Sequence, residues 1–328
     1  MKGKLGKTVI CFLMLFLLIA AGVAFVFPRY SRGETLKTNS KKVVLITING
    51  VSLGDYTQSN LPNINGLLQE GAVALMNTRP GGTRNAANSY ATIGAGEHIL
   101  SSGFAGDAFN TKSEFDEISA YTSYIARTGM EPPLEGVVTL GISQIKIANE
   151  KEGIMEGPGA LGEALKQAGL KTAVLGNGDV PESFNRDAVT IAMDKWGRVD
   201  YGNVSRNILN IVPESALDYQ TDYQALLKEF KSLYAKADFL VVETGDTFRA
   251  EELANTAFPE ILAREKKSAL ERADKFVGQV LDTVDLENTL VMLVSPCPSA
   301  EAIAGNDYMT PLVIYTGGQV PGFLTSGT

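Results

Sequence analysis

The chain has 328 residues, with 29 Lys and Arg against 37 Asp and Glu, a formal net charge of −8 and a pI near 4.9. An acidic balance without a cluster of Lys and Arg excludes a nucleic-acid binder, which must neutralise a run of phosphates. Its two cysteines, Cys11 and Cys297, are far apart and the first lies in an apolar run, so no intrachain disulfide framework holds the fold together.

Residues 9–27 read VICFLMLFLLIAAGVAFVF without one charge. At 1.5 Å per residue, about 19 residues nearly cross a hydrocarbon core of about 30 Å, which makes this a membrane span or a signal sequence. Lys2, Lys4 and Lys7 precede it and Gly22-Val23-Ala24 is similar to a cleavage site, but the apolar run continues to Phe27, favouring an uncleaved anchor. Arg29, Arg32, Lys37, Lys41 and Lys42 follow the span and outnumber the lysines before it, so charge counting does not set the orientation. A short basic start followed at once by an apolar run is the pattern of export signals, and long domains translocate largely regardless of charge. The expectation is a cytoplasmic stub and span over residues 1–29, a polar tether over 30–42, and an extracytoplasmic domain over 43–328.

Apolar, β-branched runs recur at residues 43–48, 172–176, 188–193, 239–243, 290–294 and 312–315, and read as strands buried on both faces. Helical patterns lie between several of them, at 61–72, 159–170, 222–237 and 261–284. In the last, Leu262, Ala269, Leu270, Ala273, Phe276, Val277, Val280 and Leu281 make one apolar stripe. Strands alternating with amphipathic helices predict an α/β fold with a doubly wound, mainly parallel sheet. Residues 110–149 combine a polar patch with PPLEGVVTLGISQI and read as an insertion or a cap over the sheet edge.

Open parallel sheets bind ligands outside the carboxyl ends of their strands. The residues there are Asn49, Asn177, Asp179, Asp194, Glu243, Asp246 and Ser295, which predict a polar pocket without naming a reaction. Residues 79–96, RPGGTRNAANSYATIGAG, run from a Gly-rich loop with Thr83, Arg84 and Asn85 into a small-residue helix. Free amides and a positive dipole end at such a helix start suit a phosphate or sulfate. The other reading is a plain loop and a close-packed helix, in which Gly94 and Gly96 permit packing or end the helix.

In order along the chain, these segments resemble the alkaline phosphatase superfamily of phosphatases, sulfatases, nucleotide pyrophosphatases and cofactor-independent phosphoglycerate mutases. VVLITINGVSLGDYTQSNLPNINGLLQEGAV is similar to its opening strand, metal-binding Asp-Gly turn and first helix. ANSYATIGAG resembles the helix behind the nucleophile, and ADFLVVETGD the strand that delivers an Asp and later a His ligand. ERADKFVGQVLDTVDLENTLVMLVSP is similar to the helix and strand before the Asp-His pair, and AGNDYMTPLVIYTGG resembles the last ligand segment. The likeness runs from about residue 43 to residue 318, and points to a group of bacterial cytoplasmic-membrane proteins. It implies two metal ions held by Asp and His, and a Ser, Thr or modified Cys nucleophile.

Departures from that pattern are specific. Asn49 replaces the first Asp, Ser295-Pro296 stands at the Asp-His pair, and Asn306, Asp307 and Tyr308 precede Pro311 without a His. The one histidine, His98, lies beyond the nucleophile helix, where a hydrogen bond or a charge at the helix C-terminus is its expected job. Register with the family pattern puts Ala86 in the nucleophile's place, Thr83 one turn earlier and Ser89 one turn later; Thr83 is the better candidate. The resulting expectation is a non-catalytic, membrane-anchored domain that binds an anionic small molecule, a cell-surface polymer or a membrane-protein partner. Arg84 and Asn85 would hold the anion, with Asn49 and Asn306 in the pocket, and no cofactor. The alternative is a phosphate- or sulfate-ester hydrolase whose Glu243 and Asp246, with Asp179 or Asp194, hold a single Mg or Ca through oxygen. The chain ends in PGFLTSGT without the closing helix that the family usually adds, which the resemblance reads as a fragment of a longer protein.

Overall fold

The computed structural model describes residues 42–324 apart from residues 102, 155–156, 214 and 319–320. The anchor expected at residues 9–27 and the tether before Lys42 lie outside the described residues, among which no helix is long and apolar enough to cross a membrane.

Val44, Leu45, Ile46 and Thr47 are all buried, so the opening strand has no solvent face. Such a strand needs cover on both sides, and the fold supplies it. Eight strands form the main sheet: β1 (Lys42–Thr47), β2 (Ala72–Asn77), β3 (Thr172–Leu175), β4 (Tyr201–Asn203), β5 (Phe239–Glu243), β6 (Thr289–Val294), β7 (Met309–Tyr315) and β8 (Gly322–Phe323). Their order is β8-β2-β7-β6-β1-β5-β3-β4. Only β7 runs against the rest, pairing antiparallel with both β6 and β2. The sheet is therefore mainly parallel, as the strand–helix alternation predicts.

Successive side chains of a strand point to opposite faces, and the two cores follow that period. Val44, Ile46, Leu240 and Val242 pack with Phe230, Phe276, Val277 and Val280 of the helices Tyr223–Lys236 and Pro259–Leu281. Leu45, Val174 and Val241 face the other way, against Tyr90 of the helix Ala86–Ala95 and Val189 and Ile191. The expected helices at 61–72, 159–170, 222–237 and 261–284 are present as Pro62–Glu70, Ala160–Gln167, Tyr223–Lys236 and Pro259–Leu281.

The expected strand at residues 188–193 is a correction: Val189–Ala192 is a short helix, wholly buried. An apolar run of six residues carries no period that separates a buried strand from a buried helical turn. Here the helix Ala86–Ala95 crosses it at Gly94, where an added Cβ would run into the Thr190 carbonyl, so close backbone approach decides the local structure. Residues 108–139 supply two strands of a small antiparallel sheet, Ala108–Asn110 and Val137–Thr139, with Arg198–Val199 as the third. Asn110 ties this sheet to the β4 edge, donating from Nδ2 to the Gly202 carbonyl and accepting from the Val204 amide.

Candidate functional site

Strand register brings the first group together. Thr47 at the end of β1 lies opposite Glu243 at the end of β5, and Asn49 follows two residues on. Tyr90, fully buried on the helix Ala86–Ala95, donates its hydroxyl to Glu243 Oε1 at 2.8 Å and stands 3.4 Å from Thr47 Oγ1. Glu243 Oε2 is buried and has no hydrogen-bond partner. Burial, then the nearby charge of Asp187, pushes the Glu243 carboxyl up to about 8. Asp187 itself is pushed up to about 7 by burial and by Asp179. Two buried acids therefore hold protons near neutrality beside a tyrosine.

On the β6 side the polar groups close on one another. Asn49 Oδ1 accepts from the Cys297 amide, and the Gly50 amide donates to the Cys297 carbonyl. Ser295 Oγ accepts from the Val51 amide and donates to that same carbonyl. The Cys297 thiol is pushed up to about 11 by burial, with the Ser89 hydroxyl beside it acting the other way.

The remaining strand-end carboxylates are spent on the protein's own cations. Asp179 pairs with Arg186 and Arg206, and Asp194 with Lys166 and Arg198. Asp246 accepts at Oδ1 from Arg249 Nη2 and the Thr221 amide, and at Oδ2 from Arg272 Nε. A buried charge needs such partners, because its desolvation is otherwise uncompensated. Asp246 thus sits in an ion-pair network with Arg249 and Arg272, and the Arg249 charge also acts on Glu243, lowering its pKa against the effect of burial. Asn177 is likewise committed, donating to the Val204 and Ser205 carbonyls.

These donors do not fit the pair of metal ions that the alkaline phosphatase resemblance implies. A divalent cation needs several anionic or imidazole ligands facing one point. Glu243 is the one strand-end carboxylate of this set without an ion pair, the acid near it, Asp187, is itself pushed toward its neutral form by burial, and no group of three or more His, Cys, Asp or Glu able to hold a metal occurs among the described residues.

The surface loop before the helix Ala86–Ala95 is different. Asn85 caps that helix, its Oδ1 accepting from the Asn88 amide, and the amides of Ala86 and Ala87 meet no acceptor among the described residues. Neither alanine is sealed from solvent. Arg84 donates from Nε to the Thr78 carbonyl and lies over the Tyr308 ring, 3.7 Å from its centroid. Tyr308 in turn donates its hydroxyl to Asn306 Oδ1, so Arg84 and Asn306 meet through it. Thr83 is exposed, and its carbonyl rather than its hydroxyl is engaged, by Asn88 Nδ2. Ala86, in the family's nucleophile position, opens the helix; His98 is exposed beyond its end.

Sequence reading missed Tyr90, Asp187 and the Arg84–Tyr308 stack. One signal was available: Tyr90 is the single wide side chain in a helix of small ones, and a wide residue there fills space that the others leave.

No family model and no curated protein matches the chain. Among solved structures it is similar to the PH0037 protein of Pyrococcus horikoshii, at 16% identity and TM-score 0.49, over 85% of this chain and 86% of that one. A protein in the alkaline phosphatase superfamily from Vibrio parahaemolyticus is similar at 14% identity and TM-score 0.49, over 87% of this chain and 62% of that one. The lipoteichoic acid synthase LtaP from Listeria monocytogenes is similar at 12% identity and TM-score 0.46, over 87% and 68%. The chain spans less than two thirds of the Vibrio protein's length. The likeness to superfamily members is one of fold, and at these TM-scores no argument about function rests on it.

Proposed function

We propose that this is a non-catalytic domain that binds an anionic group at the N-terminus of the helix Ala86–Ala95, held at a membrane surface by the apolar run at residues 9–27. The observation that carries the reading is Arg84, whose terminal nitrogens make no ion pair or hydrogen bond among the described residues, beside the amides of Ala86 and Ala87, which likewise meet no acceptor there. A guanidinium beside a helix start attracts a phosphate or sulfate group through charge-assisted hydrogen bonds and the helix dipole. Against ester hydrolysis stands the donor set: the strand-end carboxylates Asp179, Asp194 and Asp246 are ion-paired with arginines and a lysine, and one oxygen of Glu243 accepts from Tyr90. Among the described residues no base is hydrogen-bonded to the Thr83 hydroxyl, and an adjacent base is the usual way a hydroxyl nucleophile is activated.

The test uses the full chain in detergent micelles. Inorganic phosphate or sulfate is expected to bind the wild type and to bind Arg84→Ala at least about tenfold more weakly, the scale of a charge-assisted contact. Equal binding by the two proteins, or turnover of an aryl phosphate, phosphodiester or aryl sulfate that Glu243→Ala abolishes, would favour the hydrolase with a carboxylate-held metal.

A further inference from the structure

Arg84 is held on two of its surfaces. One face of the guanidinium lies on the Tyr308 ring, and the Nε–H is spent on the Thr78 carbonyl at 3.3 Å. Thr78 is itself fixed to the same tyrosine, its amide and its hydroxyl both donating to the Tyr308 carbonyl at 3.0 Å. The two loops that carry Arg84 and Tyr308 are thereby joined side chain to ring and backbone to backbone. What remains of the guanidinium is the end-on edge, the Nη1 and Nη2 pair, which meets no acceptor among the described residues.

We propose, resting on the anion-site reading, that Tyr308 is the positioning residue of that site: its ring presents Arg84 as an end-on fork. Such a fork matches anions with two oxygens side by side, such as phosphate and sulfate, better than a spherical halide. An exposed arginine otherwise samples many rotamers, and ordering it on binding weakens the complex. A planar guanidinium stacked on an aromatic face has already lost that freedom. The ring rather than the hydroxyl is the working part, since the hydroxyl is directed to Asn306 Oδ1. Asp307, the acid between them in sequence, accepts from the Met309 amide, so its charge is partly engaged next to the site.

The experiment titrates inorganic phosphate into the full chain in micelles, with Tyr308→Phe, Tyr308→Leu and Arg84→Lys as variants and chloride as the competing probe. Tyr308→Phe should bind as the wild type does, and Tyr308→Leu about three- to tenfold more weakly, the range of a cation–π contact. Arg84→Lys should lose the preference for phosphate over chloride while keeping some affinity. Leu binding as tightly as wild type, or Phe binding as weakly as Leu, overturns the proposal and leaves the anion site standing. Absence of phosphate and sulfate binding in the wild type overturns the site reading, and the proposal falls with it. Should Tyr308→Leu not fold, the wild-type Arg84 Nε–H resonance decides: stacking shifts it upfield and slows its exchange, whereas an averaged, fast-exchanging signal refutes the stack.

Discussion

The Tyr90 hydroxyl donates to Glu243 Oε1 at 2.8 Å while the second oxygen of Glu243 is buried without a partner. Burial and the nearby Asp187 outweigh the Tyr90 hydrogen bond, which favours the charged form, and move the Glu243 pKa from 4.5 to about 8. For an acid whose pKa is raised on folding, stability is fully present below the unfolded pKa and is lost as pH rises through the folded one. Asp187 acts in the same direction, from 3.8 to about 7. Chemical denaturation at pH 5, 7 and 9 should therefore give falling stability across the window from about 4 to about 8. Glu243→Gln should flatten the upper part of that slope, by on the order of 2–3 kcal/mol between its ends.

Asp246 satisfies two arginines, one of them with no solvent exposure of its side chain. Its replacement by Ala leaves Arg249 buried and Arg272 half-buried without their carboxylate. Loss of one partner from such a network typically costs about 3–5 kcal/mol, readable as a lower urea midpoint. Asp246→Asn keeps an acceptor for Arg249 and the Thr221 amide, and should recover part of that loss.

At Gly94 an added Cβ would meet the Thr190 carbonyl and the Ile191 backbone rather than a movable side chain. Gly94→Ala must therefore push the helix Ala86–Ala95 off the short helix Val189–Ala192, at about 1–3 kcal/mol or more. Thermal melting should show the loss. The alkaline stability slope should shift with it, because that helix carries Tyr90 to Glu243.

The helix cap gives a smaller, local effect. Asn85→Ala removes the acceptor for the Asn88 amide and should lower stability by about 1 kcal/mol. The same change frees a third amide at the helix start, so phosphate affinity should fall far less than it does on loss of Arg84.

Much of the sheet was legible because its strands are apolar runs bounded by polar loops, and because amphipathic helices between them leave few alternatives to parallel pairing. The strand ends were legible for the same reason: register alone sets Thr47, two residues before Asn49, opposite Glu243. β2 was not, since AVALMN is buried only at its start and alternates weakly after it. Residues 188–193 were misread because burial hides the period. In the site, sequence identified which acids sit at strand ends but not that Asp179, Asp194 and Asp246 are already paired. Arg249 stands at helical i,i+3 spacing from Asp246, but the other partners, Arg186, Arg198, Arg206, Lys166 and Arg272, lie 4 to 28 residues from their carboxylates in no pattern that a strand or helix period predicts. Tyr308 was seen only as a residue in a segment lacking histidine, and its ring contact with Arg84 joins loops more than 200 residues apart.

The most direct measurement is a phosphate titration of the full chain beside its Arg84→Ala variant, with bound metal assayed on the same samples. The expected result is saturable, metal-independent binding by the wild type, at least about tenfold weaker in the variant, and no stoichiometric zinc pair in either protein. Binding that is unchanged by the variant, or that appears only when two metal ions are bound, would contradict it.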